Sequence, residues 1–153
     1  MLAVGDLAPE FVGTTHRGET LSLTTLRGRP AVLYFYPRAG TTGCTMEANE
    51  FARHYAEFER AGVALVGVSV DSLEAQQRFA EKCQLPFPLV ADADRTIARK
   101  FGALGLLGLA KRVTFWIGAD GRIEEVISGM MPAPHVRGAL ERLARSGRGA
   151  APT

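Results

Sequence analysis

The sequence predicts an α/β fold: a central mixed β-sheet flanked by helices. Three observations carry this. Two continuous apolar runs, 31–36 and 63–70, read as strands buried on both faces, because their apolar residues do not alternate with polar ones. Each run is followed by a stretch in which apolar residues recur every three or four positions, the helical period. Near the end, two short strand-like runs flank Ala119-Asp-Gly121, a hairpin turn. Right-handed crossovers between parallel strands place helices on both faces of the sheet, and the hairpin makes that sheet mixed.

Taken in order, residues 1–13 contain Pro9 and read as an extended arm. Residues 16–19 form a turn, 20–23 alternate like a short strand, and 24–28 make one helical turn ended by Gly28. The strand at 31–36 leads through a Gly/Thr loop into a helix over 44–61. There Ala48, Phe51, Tyr55 and Phe58 mark the buried side, and Gly62 takes the place after the last turn. The second buried strand follows, and Asp71 or Ser72 caps a helix whose core stripe is Ala75, Phe79 and Cys83. Residues 85–90 are extended, a short helix ends near Phe101-Gly102, the hairpin spans 112–127, and 134–145 form a closing helix. One domain over 1–146 is expected, with 147–153 a disordered Gly/Ala/Pro-rich tail.

At 153 residues, 46% hydrophobic and 22% charged, the composition suits a globular domain with a core of its own. A formal net charge of +2 argues against nucleic acid or an anionic membrane as partner. No run approaches the roughly 20 apolar residues needed to cross a bilayer, and the opening residues lack a secretory pattern, so a cytoplasmic location is expected. Two cysteines then point to thiol chemistry rather than a disulfide framework. Three scattered histidines without Cys-x-x-Cys give no metal-site pattern, and no cofactor is expected.

Cys44 sits at the strand-to-helix junction, where a thiol has most to gain. Thiols react as thiolates, so the site must favour ionisation of a group whose free pKa is roughly 8.5. Free N–H groups and the positive end of the macrodipole at a helix head do so. Thr41 is placed to donate to the sulfur or to a substrate oxygen. Pro37 stiffens the loop, and Gly40 and Gly43 let backbone approach a small ligand. A lone cysteine on an apolar helix face is also a good small hydrophobe, and the residue types alone leave that alternative standing.

The spacing Pro37-x-x-x-Thr41-x-x-Cys44 resembles the signature of the peroxiredoxins. The likeness extends over about residues 4–143. Gly5-Asp-Leu-Ala-Pro9-Glu-Phe11 resembles the family's opening, and Cys44-Thr-Met-Glu47 and Gly67-Val-Ser-Val-Asp71 resemble its Q-type branch, the bacterioferritin comigratory proteins. Leu85-Pro-Phe-Pro-Leu and 112–121 continue the match. The resemblance implies a thioredoxin-like fold with an N-terminal extension. It also implies a thiol peroxidase acting on hydrogen peroxide and organic hydroperoxides in antioxidant defence, a monomer reduced by thioredoxin or another thiol. Cys44 would be the peroxidatic residue, Arg112 the arginine that approaches the sulfur, and Glu47 the acid that orients it.

The chain departs from the branch in two places. Many members carry a resolving cysteine five residues after the peroxidatic one, where this chain has Asn49. Cys83 is the remaining candidate resolving residue, although the family position falls nearer Ala80 and the helix runs away from the Cys44 end of the sheet. A one-cysteine cycle is the alternative. The run Gly102-Ala-Leu-Gly-Leu-Leu-Gly-Leu109 is more apolar than the family's loop, which is consistent with a lid, an apolar rim for organic hydroperoxides, a self-association patch or ordinary packing. Two other functions stay in view. A disulfide reductase would need a second cysteine three residues from Cys44, where Thr41 and Glu47 stand. A thioredoxin-fold binding or chaperone module with an incidental thiol is not excluded by fold.

Overall fold

The computed structural model describes residues 2–146. Its elements are β1 (Val12–Thr15), β2 (Thr20–Ser22), α1 (Leu23–Leu26), β3 (Ala31–Phe35), α2 (Thr42–Arg53), α3 (Tyr55–Arg60), β4 (Ala64–Ser69), α4 (Leu73–Cys83), β5 (Leu89–Ala91), α5 (Thr96–Lys100), β6 (Val113–Ile117), β7 (Ile123–Ser128) and α6 (Pro132–Arg145). The tail expected over 147–153 lies outside the described residues.

The strands form one seven-stranded sheet in the order β2-β1-β5-β4-β3-β6-β7. β3, β4 and β5 run parallel in its middle, with β6 antiparallel to β3 and β7 antiparallel to β6. Alternation along each strand divides the core in two. Leu33 and Phe35 join Val66, Val68, Val90 and Phe115 under α1 and α5, through Leu23, Leu26, Ile97 and Ala98. Val32 and Tyr34 join Leu65, Leu89 and Trp116 on the other face, covered by Phe51, Phe58, Phe79 and Val136 of α2, α3, α4 and α6. Cys44 belongs to this second cluster. Each fully buried phenylalanine there contributes about 2–3 kcal/mol of transfer free energy, so the helix carrying Cys44 is anchored by packing.

Three expectations are corrected. The arm over 1–13 ends as a strand: β1 pairs antiparallel with both β2 and β5, widening the sheet beyond its parallel middle. The single helix over 44–61 is two helices that meet at His54, whose backbone (φ −104°, ψ 6°) is not helical. His54 N–H reaches back to Phe51 O, and its ring pairs with Glu57. This tight join turns α3 so that Phe58 packs on Phe51, with ring centroids 6.3 Å apart. The closing helix starts at Pro132 rather than Pro134. A proline fits the first helical turn, where its missing N–H has no partner to lose.

Candidate active site

The loop from β3 to α2 is pinned before it reaches Cys44. Tyr36 N–H bonds Val68 O at 3.0 Å, and Ala39 N–H donates to Asp71 Oδ2 at 2.7 Å. That carboxylate is in turn held by Ser69 Oγ at 2.6 Å. Gly40 (φ +82°) supplies the left-handed turn that Thr41 needs to cap α2. Thr45 N–H bonds Thr41 O at 2.8 Å, leaving the N–H groups of Thr42, Gly43 and Cys44 ahead of the first intrahelical bond. Cys44 is the third residue of this 12-residue helix and is only 1% exposed. Its sulfur therefore sits at the positive end of the α2 dipole.

Arg112, one residue before β6, reaches this point from the strand paired beside β3. Its Nη2 lies 3.4 Å from Cys44 Sγ, its Nη1 pairs with Glu47 Oε1, and its Nε donates to Met130 O at 2.8 Å. The three acceptors use three directions of one rigid fork. Gly43 makes room for it: a Cβ there would stand 3.2 Å from Arg112 Nη2.

Glu47 is wholly buried, and its Oε2 has no hydrogen-bond partner among the described residues. Burial pushes its carboxyl up to about 7, although the adjacent Arg112 charge pulls the other way. Burial also disfavours the charge on Arg112, but Glu47 and Cys44 outweigh it and raise the guanidinium's pKa. The linkage has a definite sign. Between its ordinary 4.5 and about 7 the folded protein holds a Glu47 proton that the unfolded chain has lost. Stability from this group is greatest at the acid side of that window and declines as pH rises through it, by about 1–3 kcal/mol. Urea unfolding of wild type and Glu47→Gln should show the wild-type advantage shrinking from about pH 4.5 to about pH 8. A pH-independent difference would show that Glu47 titrates alike in the folded and unfolded chain, and a wild-type advantage growing with pH would show that folding favours its ionised form.

The structure thus brings Cys44, Glu47 and Arg112 together, with Thr41 and Pro37 on the adjoining loop. The Thr41 hydroxyl, expected to donate to the sulfur or to a substrate oxygen, is exposed and here directs its proton to Arg38 O at 2.8 Å. Arg38 and Lys111 are exposed. Cys83 is not part of this site. It ends α4, whose 11 residues rise about 16 Å. It packs partly buried against the second core, and burial raises its thiol pKa despite Lys82. The expected stripe of Ala75, Phe79 and Cys83 is shifted, with Gln76, Phe79 and Ala80 the buried residues. Both cysteines are free.

Two partners of Arg112's surroundings had no mark in the sequence: the Met130 carbonyl and the buried His135 behind it. The apolar loop after Phe101 is a tight turn, closed by Gly105 N–H to Leu109 O at 2.7 Å, which presents Leu106 and Leu107 to solvent at 106% and 91% exposure. Ordinary core packing is thereby ruled out for these two leucines. Together with Pro37, Arg112, Val113 and Met130 they line a groove of about 700 Å³ beside the Arg112 guanidinium. No helix among the described residues is long and apolar enough to cross a membrane, and those residues hold no cluster of three or more metal-ligating side chains.

Comparison with known proteins bears on this arrangement. The family described as AhpC/TSA matches residues 4–126. Peroxiredoxin Bcp of Escherichia coli K12 is 38% identical over 141 residues, 88% of this chain and 90% of that protein. The crystal structure of peroxidoxin BcpB from Mycobacterium tuberculosis superposes with a TM-score of 0.88 at 37% identity, covering 95% of this chain and 98% of that one. The bacterioferritin comigratory protein of Xanthomonas campestris, studied for its alkyl peroxide reduction activity, matches with a TM-score of 0.83 at 29% identity, over 89% and 91% of the two chains.

Proposed function

Because the chain belongs to the AhpC/TSA family and is a thiol-dependent peroxidase of the Bcp and peroxiredoxin Q kind, we propose that Cys44 is its peroxidatic nucleophile and that Arg112, held by Glu47, activates it. The observation that carries this is the 3.4 Å contact of Arg112 Nη2 with Cys44 Sγ at the head of α2. The Cys44 thiolate attacks the terminal oxygen of ROOH. A sulfur–oxygen bond forms, the O–O bond breaks, and the electron pair leaves on RO⁻, which takes a proton and departs as alcohol, or as water from hydrogen peroxide. Negative charge moves from sulfur towards the leaving oxygen, so donors aimed at both atoms lower the barrier. Arg112 and the open N–H groups of Gly43 and Cys44 are those donors. Thr41 Oγ1, whose O–H donates to Arg38 O, presents lone pairs and accepts from the hydroperoxide O–H. Pro37 forms one wall of the site.

The apolar groove continues from Arg112 along Leu106, Leu107 and Met130. It suits the hydrocarbon part of an organic hydroperoxide, which would lose water-exposed apolar area there. An incidental thiol on a binding module would have no use for a buried guanidinium aimed at its sulfur, so the chaperone reading has no observation in its favour.

For regeneration the proposal is a one-cysteine cycle in a monomeric cytoplasmic enzyme: an external thiol, thioredoxin or a small thiol, condenses with the Cys44 sulfenic acid and releases water, and a second thiol frees Cys44. Asn49 is exposed and offers no sulfur, and Cys83 is a helix length from the head of its own α4. Intact mass after one equivalent of peroxide tests this. A gain of one oxygen, unchanged in Cys83→Ser, is the expected result. Loss of two hydrogens in wild type but not in Cys83→Ser would establish Cys83 as the resolving residue instead.

A further inference from the structure

Arg112 owes its place to more than Glu47. Its Nε hydrogen bond goes to the carbonyl of Met130, in the short segment 129–131 between β7 and α6. That segment is not held by its own side chains: Gly129 has none, and Met130 and Met131 are 89% and 69% exposed. What grips it from inside is His135, on the first turns of α6 and 0% exposed. The Nε2 of His135 lies 2.8 Å from Gly129 O, and its Nδ1 lies 2.8 Å from Thr114 Oγ1. A carbonyl only accepts, so Nε2 carries a proton; in the neutral ring Nδ1 is then bare and the Thr114 hydroxyl donates to it. Burial, together with the nearby Arg112 charge, lowers the ring's pKa against the Gly129 bond, in keeping with this neutral tautomer.

The contacts close a ring. Thr114 stands two residues after Arg112 and so shares its side of the strand. From Thr114 the ring passes through His135 to Gly129 O, along one residue to Met130 O, and back to Arg112 Nε. We infer that His135 is a positioning residue for the reaction: by clamping segment 129–131 to β6 it fixes the Met130 carbonyl, and through it the rotation of the Arg112 guanidinium over Cys44. A glycine at 129 fits this role. Its φ of +132° is a conformation that L side chains rarely adopt, so the segment leaves β7 at an angle that turns its carbonyl to the histidine. Without the clamp, Arg112 keeps Glu47 but loses its third fixed point, and small misplacements of a catalytic group are expensive in rate.

The inference rests on the reading of Cys44 as the reacting thiol, and the test separates the two. His135→Gln retains a donor for Gly129 O and breaks the Thr114 link, while Thr114→Val breaks the same link with little change of shape. Each variant is made in a Cys83→Ser background and measured in two ways: the pH profile of thiolate ultraviolet absorbance, which requires no peroxide, and the rate of Cys44 oxidation by peroxide. Both variants should fold, shift the absorbance profile to higher pH and slow oxidation by about tenfold. In an Arg112→Ala background the same substitutions should add nothing, because their effect passes through the arginine. Folded variants with the parental profile and rate, or equal losses with and without Arg112, would overturn the positioning role. A parent protein whose Cys44 barely reacts with peroxide would count against the peroxidatic reading, while the absorbance profile would still decide the clamp.

Discussion

Cys44→Ser is expected to abolish peroxide turnover, lowering it by at least about four orders of magnitude. The substitution changes one atom in a side chain packed within the second core, so the fold should survive, and thermal unfolding of the variant provides the control. The loss is chemical. A serine hydroxyl does not ionise near neutral pH, and its oxygen cannot pass through the sulfenic state by which sulfur takes up an oxygen atom. The α2 head and Arg112 would remain in place around a group they cannot activate. Thiol-dependent peroxide consumption retained by the folded variant would show that the reaction runs elsewhere in the molecule.

Arg112→Ala should carry the second largest effect, slowing oxidation of Cys44 by about 10²–10³-fold, the cost of losing one preorganised donor to developing charge. Arg112→Lys should recover little of it. A single ammonium cannot serve the sulfur, the Glu47 carboxylate and the Met130 carbonyl at once in the three directions that the guanidinium does. Stability responds as well. The Arg112 charge lowers the Glu47 pKa against its burial, so the alanine variant leaves a carboxyl that prefers its proton even more. The variant should therefore be least stable relative to wild type on the alkaline side, where that proton must be given up or held at a cost. Stopped-flow oxidation at matched pH, together with urea unfolding on either side of neutrality, measures both effects. An unchanged peroxide rate constant would reduce Arg112 to a structural ion pair.

Several of these features were legible in the chain itself because they belong to local pattern. An apolar run that ends at Pro37 and gives way to glycines and threonines announces a strand-to-helix junction. A cysteine three residues beyond Thr41 then has to lie in the first turn of the helix. Arg112 was reachable only by family resemblance, since nothing in periodicity links residues 68 positions apart. The Met130 contact left no trace because a backbone carbonyl has no residue identity. His135 lay hidden for a related reason: it sits in register with Val136, Ala139 and Leu143 on the buried side of α6, where composition shows only an amphipathic helix. The break at His54 escaped because Phe51 and Phe58 stay in step across it, so a pattern of spacings reads through the join. The loop after Phe101 could not be assigned from its leucines alone. Its turn, not its composition, decides that Leu106 and Leu107 face outwards.

The atom that receives the oxygen identifies the nucleophile. Reduced protein mixed with a substoichiometric amount of an organic hydroperoxide, quenched with a sulfenic-acid trap and digested for peptide mass analysis, answers this directly. The trapped adduct is expected on the peptide containing Cys44, formed in step with hydroperoxide loss and absent from Arg112→Ala at the same early time. Oxygen found instead on Cys83 or on the exposed Met130, with Cys44 unmodified after the hydroperoxide is consumed, would remove Cys44 from the role of nucleophile.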